Sequence, residues 1–301
     1  MKDVRSILPA GSLAHRMLSG AVRNCKAVIF AGLPGVGKTL LLQQTALLSH
    51  GAGRPLYLLQ WDIARQGFET PEILARYPEV DGTTHAAIRK AAGSWVRGAV
   101  AAWAEAHRSD EALLLGEAPL VGNRLIELAS RESDAAEHFL AAPTTQFIIP
   151  APTLAVRRAI EATRQREIEQ PRHVREAANA PPNVLTLLMQ ELRAAGAALG
   201  VPGVRSEGGY DPEVYTAVYS RLLEHRHVRA LSIDECWPVV GSPYELDMGA
   251  TELRPSPAEV ADTLARVEAL GALELERAVR QWYLPRMHDS ILPDRRRSSP
   301  D

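Results

Sequence analysis

The sequence predicts an α/β chain, with one parallel sheet of about five strands and helices on both faces. Three observations predict it. Five short apolar runs are separated by stretches of helical periodicity. The first of them, Lys26-Ala-Val-Ile-Phe-Ala-Gly32, is continuous rather than alternating, as in a strand buried on both faces. A glycine-rich loop then joins this run directly to a helical stretch, the order of a parallel crossover unit.

Along the chain, residues 12–24 read as a short helix, with Leu13, Met17, Leu18 and Val22 at helical spacing. After the strand at 26–32 a helix runs from Thr39 to about Ser49, and Gly51 and Gly53 end it. Pro55 to Trp61 is the second strand, with Asp62 at its carboxyl end. Residues 84–107 form a long alanine-rich helix carrying Arg89, Trp95, Arg97 and Trp103. Glu111 to Gly116 is the third strand, ended by Glu117, and Asn123 to Arg131 reads as a helix. Gln146 to Pro150 is the fourth strand, followed by an arginine-dense helix over 154–169 and helices over Asn183–Leu199 and Pro212–His225. Val228 to Asp234 is the fifth strand, and Pro257 to Leu270 a further amphipathic helix. The stretches 203–209 and 238–257 read as loops, and Asp294 to Asp301 lacks apolar anchors and is expected to be disordered.

Composition narrows the function classes. The chain has 301 residues, 46% of them hydrophobic, enough for a substantial core. A formal net charge of −2 gives no global basic field, so nucleic acid is not expected as a partner. Apolar runs such as Ala27–Leu33 are too short to span a bilayer, and the N-terminus shows no signal-peptide pattern, so no membrane role and a cytoplasmic location are expected. Two cysteines, Cys25 and Cys236, make no disulfide framework, and no Cys/His cluster has zinc spacing. Arginine outnumbers lysine 30 to 4, which makes arginine clusters weak signals and a well-placed lysine a strong one.

The well-placed lysine is Lys38, in Gly32-Leu33-Pro34-Gly35-Val36-Gly37-Lys38-Thr39-Leu40. Glycines let this backbone take positive φ and aim successive N–H groups inward at phosphate oxygens. The following helix adds its free N–H groups and dipole. Lys38 would reach the β- and γ-phosphates and the Thr39 hydroxyl a magnesium ion. The spacing Gly-x4-Gly-Lys-Thr, in strand–loop–helix context, predicts a nucleotide site taking ATP or GTP with Mg²⁺, spanning Gly32, Pro34, Gly35, Val36, Gly37, Lys38, Thr39 and Leu40.

With this motif the chain resembles the P-loop NTPases. In the order of its other elements it resembles their small-molecule and nucleotide kinases over roughly residues 25–270. The resemblance implies ATP and Mg²⁺, transfer of the γ-phosphoryl group to a small-molecule acceptor, and roles for the acids at strand ends. Asp62 would orient the acceptor hydroxyl or act as base, and Glu117 would hold the metal with Thr39. A lid over about 153–182 would close with arginines, of which Arg157 and Arg164 share a helix face, with Arg158, Arg166 and the segment 172–176 beside them. The helix over 84–107 would offer Arg89 and Arg97 to the acceptor with Trp61, while Trp95 and Trp103 are expected to pack. Asn123 and Arg124 are further candidates for substrate contact. The implied division is a helical extension (1–24), a P-loop kinase-like domain (25–270), and a C-terminal helix with a disordered tail (271–301).

A rival reading remains. Ala230-Leu-Ser-Ile-Asp234-Glu235 has the form of a Walker B motif, with Glu235 polarising water, as in a regulatory ATPase that acts on a protein partner. It lies nearly two hundred residues beyond Lys38, which is far for such a motif.

Overall fold

The computed structural model describes residues 6–177, 180–239, 242–244 and 249–284. The sheet has six strands rather than five: β1 (Ala27–Ala31), β2 (Leu56–Gln60), β3 (Leu113–Ala118), β4 (Thr145–Pro152), β5 (His227–Ile233) and β6 (Thr251–Glu252). All are parallel, in the order β5-β4-β1-β3-β2-β6. The extra strand pairs with Tyr57 and Leu58 of β2 inside a stretch read from sequence as loop. Two residues carry no periodicity, so β6 had no pattern to reveal it.

The helices are α1 (Leu13–Asn24), α2 (Lys38–Gly51), α3 (Trp61–Gly67), α4 (Pro71–Arg76), α5 (Ala86–Ala106), α6 (Glu137–Leu140), α7 (Leu154–Glu169), α8 (Val174–Ala177), α9 (Pro182–Ala198), α10 (Pro212–Leu222), α11 (Pro257–Ala269) and α12 (Ala272–Arg280). They cover both faces of the sheet, because alternate strand residues face opposite ways. Val28, Phe30, Leu58, Leu115 and Ile148 pack with Leu18, Leu41 and Leu42 of α1 and α2. Ile29, Leu59, Leu114, Phe147 and Ile149 pack with α5, α9, α10 and α11, where Trp95 and Trp103 are core residues as expected. Burying a side chain such as Phe30 or Phe147 contributes about 1.5–3 kcal/mol.

One predicted helix is absent. Residues 123–131 hold only a 3-10 turn, Ile126–Leu128, and Asn123 and Leu125 take left-handed φ of 60° and 62°. Two arginines hold the backbone of this segment in its non-helical course. Arg97 bonds the carbonyls of Glu127 and Ser130, and Arg226 those of Leu128 and Ser130. Arg97 is thus a structural residue, also paired with Asp134 and Glu137 at 2.6 and 2.9 Å, and, contrary to the expectation that it meets a substrate, does not line the cleft beside the glycine loop. Among the described residues no helix is long and apolar enough to cross a membrane. The expected disordered tail lies outside the described residues.

Candidate functional site

Parallel strands leave a ligand crevice at their carboxyl edge, where crossovers diverge. Here β1 connects toward β2 on one side and β4 toward β5 on the other, and the loop after β1 is Gly32–Gly37. Gly35 and Gly37 have φ of 81° and 87°, a region that costs other residues strain. Gly32 is glycine for a different reason: a Cβ there would stand 2.3 Å from the hydroxyl of the buried Tyr215. Gly37 caps α2 without a side-chain hydrogen bond, so the helix begins with its N–H groups at the cleft.

Lys38 is 4% exposed and donates to the Leu33 carbonyl at 2.9 Å. Its ammonium lies 3.4 Å from Glu117 Oε1, and the Thr39 hydroxyl donates to Glu117 Oε2 at 3.4 Å. The register explains this meeting: Glu117 sits opposite Phe30 of β1 and Gln60 of β2, so β3 delivers its carboxylate beneath the loop. Glu117 lies within β3 rather than after it. Burial lowers the proton affinity of Lys38, an effect that Glu117 opposes and the nearby Arg164 reinforces.

A cleft of about 840 Å³ opens from this loop. On the β4–β5 side of β1 its lining mixes apolar residues, Val156, Ile160, Ile233, Trp237 and Val239, with the charged Arg164, Glu167 and Glu235. On the β3–β2 side it carries Trp61, Asp62, Arg65, Thr84 and Arg124, and α9 adds Val184 and Leu188. Asp62 opens α3, and its carboxylate, open to the cleft, lies 3.5 Å from Arg65. Although solvent reaches it through the mouth, protein atoms enclose it on the other sides. That enclosure pushes its carboxyl above the ordinary range, against the pull of Arg65.

The arginines of α7 divide. Arg164 lines the cleft near Lys38 and Asp62 and makes no ion pair among the described residues. Arg157 is buried away from the cleft, 2.7 Å from Glu161 and stacked on the Tyr210 ring at 4.3 Å. Glu161 in turn packs against Gly35, so Arg157 supports the loop through Glu161. Arg158 and Arg166 are exposed, Arg172 pairs with Glu167 and Glu176, and Arg175 pairs with Glu252. Arg89 does not reach the cleft; it donates to the Gly122 carbonyl at 2.5 Å. Arg124 does reach it, and Asn123 is buried beside it with neither end of its amide hydrogen-bonded.

Of the cleft residues that the sequence did not single out, three stand close to the charged groups or the end of β5. Arg65 follows Asp62 by one helical turn, a spacing that could have identified it. Trp237 lies just past β5. Tyr244 hydrogen-bonds Thr39, and burial with the nearby Glu117 carboxylate raises its hydroxyl to about 12. Nothing local marks Tyr244, which arrives from a long connection. Among the described residues no group of three His, Cys, Asp or Glu side chains could hold a metal by itself.

The fold and site define an α/β protein with one open, six-stranded parallel sheet and a charged cleft at the carboxyl edge of its strands. A scan against protein-family models, a search of curated proteins and a search of solved structures each return no match.

Proposed function

We propose that the chain is a P-loop phosphotransferase that moves the γ-phosphoryl group of ATP to the hydroxyl of a small molecule. The observation that carries this reading is the meeting of Glu117 with both Lys38 and Thr39 at 3.4 Å, in the cleft that Asp62 also lines. Phosphoryl transfer needs positioning and positive charge more than covalent chemistry. The N–H groups of the glycine loop and Lys38 hold the phosphates, with Arg164 over them. The side of the cleft with Trp237 takes the nucleoside, and the side with Asp62 and Arg124 the acceptor.

Thr39 and Glu117 fit magnesium, a hard cation that accepts few protein oxygens and completes its shell with water and phosphate. When bound, Mg²⁺ neutralises charge on the β- and γ-phosphates. Asp62 accepts the proton of the acceptor hydroxyl as its oxygen bonds to the γ-phosphorus. The bond from that phosphorus to the bridging oxygen breaks, and ADP leaves with the electron pair. The raised proton affinity of Asp62 suits this task, since a general base works best near the ambient pH.

The regulatory ATPase reading would assign the acid to Glu235. This residue lines the cleft, but its carboxylate accepts the Trp237 indole N–H at 3.0 Å, and β4 separates β5 from β1. The test is incubation with γ-labelled ATP, Mg²⁺ and a pool of nucleosides, sugars and metabolite alcohols. Label in one organic component, absent with Lys38→Ala and reduced at least a hundredfold with Asp62→Asn, supports the kinase. Label only in inorganic phosphate, unaffected by Asp62→Asn, rejects it for the ATPase.

A further inference from the structure

Four arginines line the cleft, and their partners set them apart. Arg65 is engaged by Asp62 and Glu69, and Arg172 by Glu167 and Glu176. Arg164 stands at the phosphate end beside Lys38. Arg124, in the connection after β3, is 6% exposed and makes no ion pair among the described residues. Its described hydrogen bond runs from Nη1 to the Val121 carbonyl at 3.1 Å.

The surroundings sharpen that isolation. Arg89 and Glu191 stand behind Arg124 around Gly122, where a Cβ would meet all three side chains. Glu191 makes no ion pair among the described residues, and its Oε2 is buried without a hydrogen-bond partner. Burial and the second cation Arg89 lower the Arg124 guanidinium to about 10, against the pull of Glu191. The segment that presents Arg124 is also unusual. Leu120, Gly122, Asn123 and Leu125 all have left-handed φ, and an isolated bridge pairs Leu120 with Arg124. Glu191 is near but not within ion-pair distance, and a buried guanidinium that shares its surroundings with a second cation is unfavourable unless an anion reaches it. Its planar fork suits two oxygens of one oxyanion.

We infer that Arg124 is an oxyanion subsite on the side of the cleft that Asp62 lines, so that the acceptor carries a phosphate or carboxylate group besides the hydroxyl it presents to Asp62. This rests on the phosphotransferase reading for the word acceptor, but not for the binding itself. Val184 and Leu188 also line the cleft and would cover apolar parts of such an acceptor.

Equilibrium dialysis of radiolabelled inorganic phosphate tests it. Saturating Mg²⁺ and a non-transferable ATP analogue keep the probe out of the glycine loop. The wild type is expected to bind phosphate, and Arg124→Gln to bind it at least tenfold more weakly, with circular dichroism unchanged. Arg124→Lys keeps the charge without the fork and should fall between them, which covers a failure of the glutamine variant to fold. Equal phosphate binding by wild type and either variant, or none by wild type, overturns the subsite. With acceptor pools divided into anionic and neutral members, transfer confined to an anionic member agrees with it, and Arg124→Gln should then raise KM more than it lowers kcat. Transfer to a neutral member at equal rates in both proteins overturns it. Phosphate binding that depends on Arg124 without transfer to any acceptor would sink the kinase reading and leave the subsite standing.

Discussion

Lys38 and Asp62 carry opposite charges, yet the cleft presses both toward their neutral forms. Enclosure by protein atoms is the larger cause in each, almost complete for Lys38 and only partial for Asp62, whose side chain stays more than half open to solvent. For Asp62 the consequence for stability has a definite sign. Its folded-state proton affinity is raised, so between the ordinary Asp range and the raised value the native state binds more protons than the unfolded chain. Stability therefore falls as pH rises through that window, and the ionised group remains a cost above it. Asp62→Asn should raise Tm at neutral pH while abolishing transfer, and the gain should vanish near about pH 3. Calorimetry at both pH values checks this; a lower Tm at neutral pH would show that the Arg65 contact outweighs the burial of Asp62. Glu137 shows the reverse case. Against the upward push of burial, Arg226 and Arg97 hold its carboxyl down at about 2. Its contribution is full above the ordinary 4.5 and is lost as pH falls toward about 2. Glu137→Gln should lower Tm by several degrees at neutral pH, and the deficit should shrink in acid.

The glycine loop and the segment after β3 are both built from left-handed backbone, but only the first was legible. Gly35, Gly37 and Lys38 announce themselves by residue type, because glycine is the residue that enters this region without strain. Leu120, Asn123 and Leu125 do so against their type, at about 1–2 kcal/mol for a leucine. Their sequence therefore reads as helix. The course it takes instead is held by Arg97 and Arg226, which lie roughly 30 and 100 residues from the carbonyls they bind. Distant partners that hold a backbone leave no local pattern. The paired failures of Arg157 and Arg97 as site residues have one cause: helical spacing fixes the face a residue occupies but not what that face meets. Gly32 offers a test at this scale. Gly32→Ala drives a methyl toward the Tyr215 hydroxyl and should cost about 1–3 kcal/mol by overpacking. Adding Tyr215→Phe should recover part of that loss in urea denaturation. An equal loss in both proteins would mean that the backbone, and not the hydroxyl, resists the methyl.

At the scale of the whole molecule, five of the six strands and the long helices followed from apolar runs and periodicity; β1, β3 and β4 are buried on both faces, which writes itself into continuous runs, whereas the edge strand β5 is largely exposed. The order of strands did not follow from them, since it depends on which crossovers pass over β1. That order sets β3 beside β1 and so brings Glu117 beneath Lys38 and Thr39. The cleft then draws one wall from each connection: the glycine loop after β1, Asp62 after β2, Arg124 after β3, α7 after β4 and Trp237 after β5. Such a site is assembled by topology, and its central requirement is that the loop after β1 holds a nucleoside triphosphate. The most direct measurement is a calorimetric titration of a non-hydrolysable ATP analogue into the wild type and Lys38→Ala, with and without Mg²⁺. One site per chain is predicted, strengthened by Mg²⁺ and weakened at least tenfold in Lys38→Ala. Absence of binding to the wild type, or equal affinity in both proteins, would contradict the role assigned to the loop.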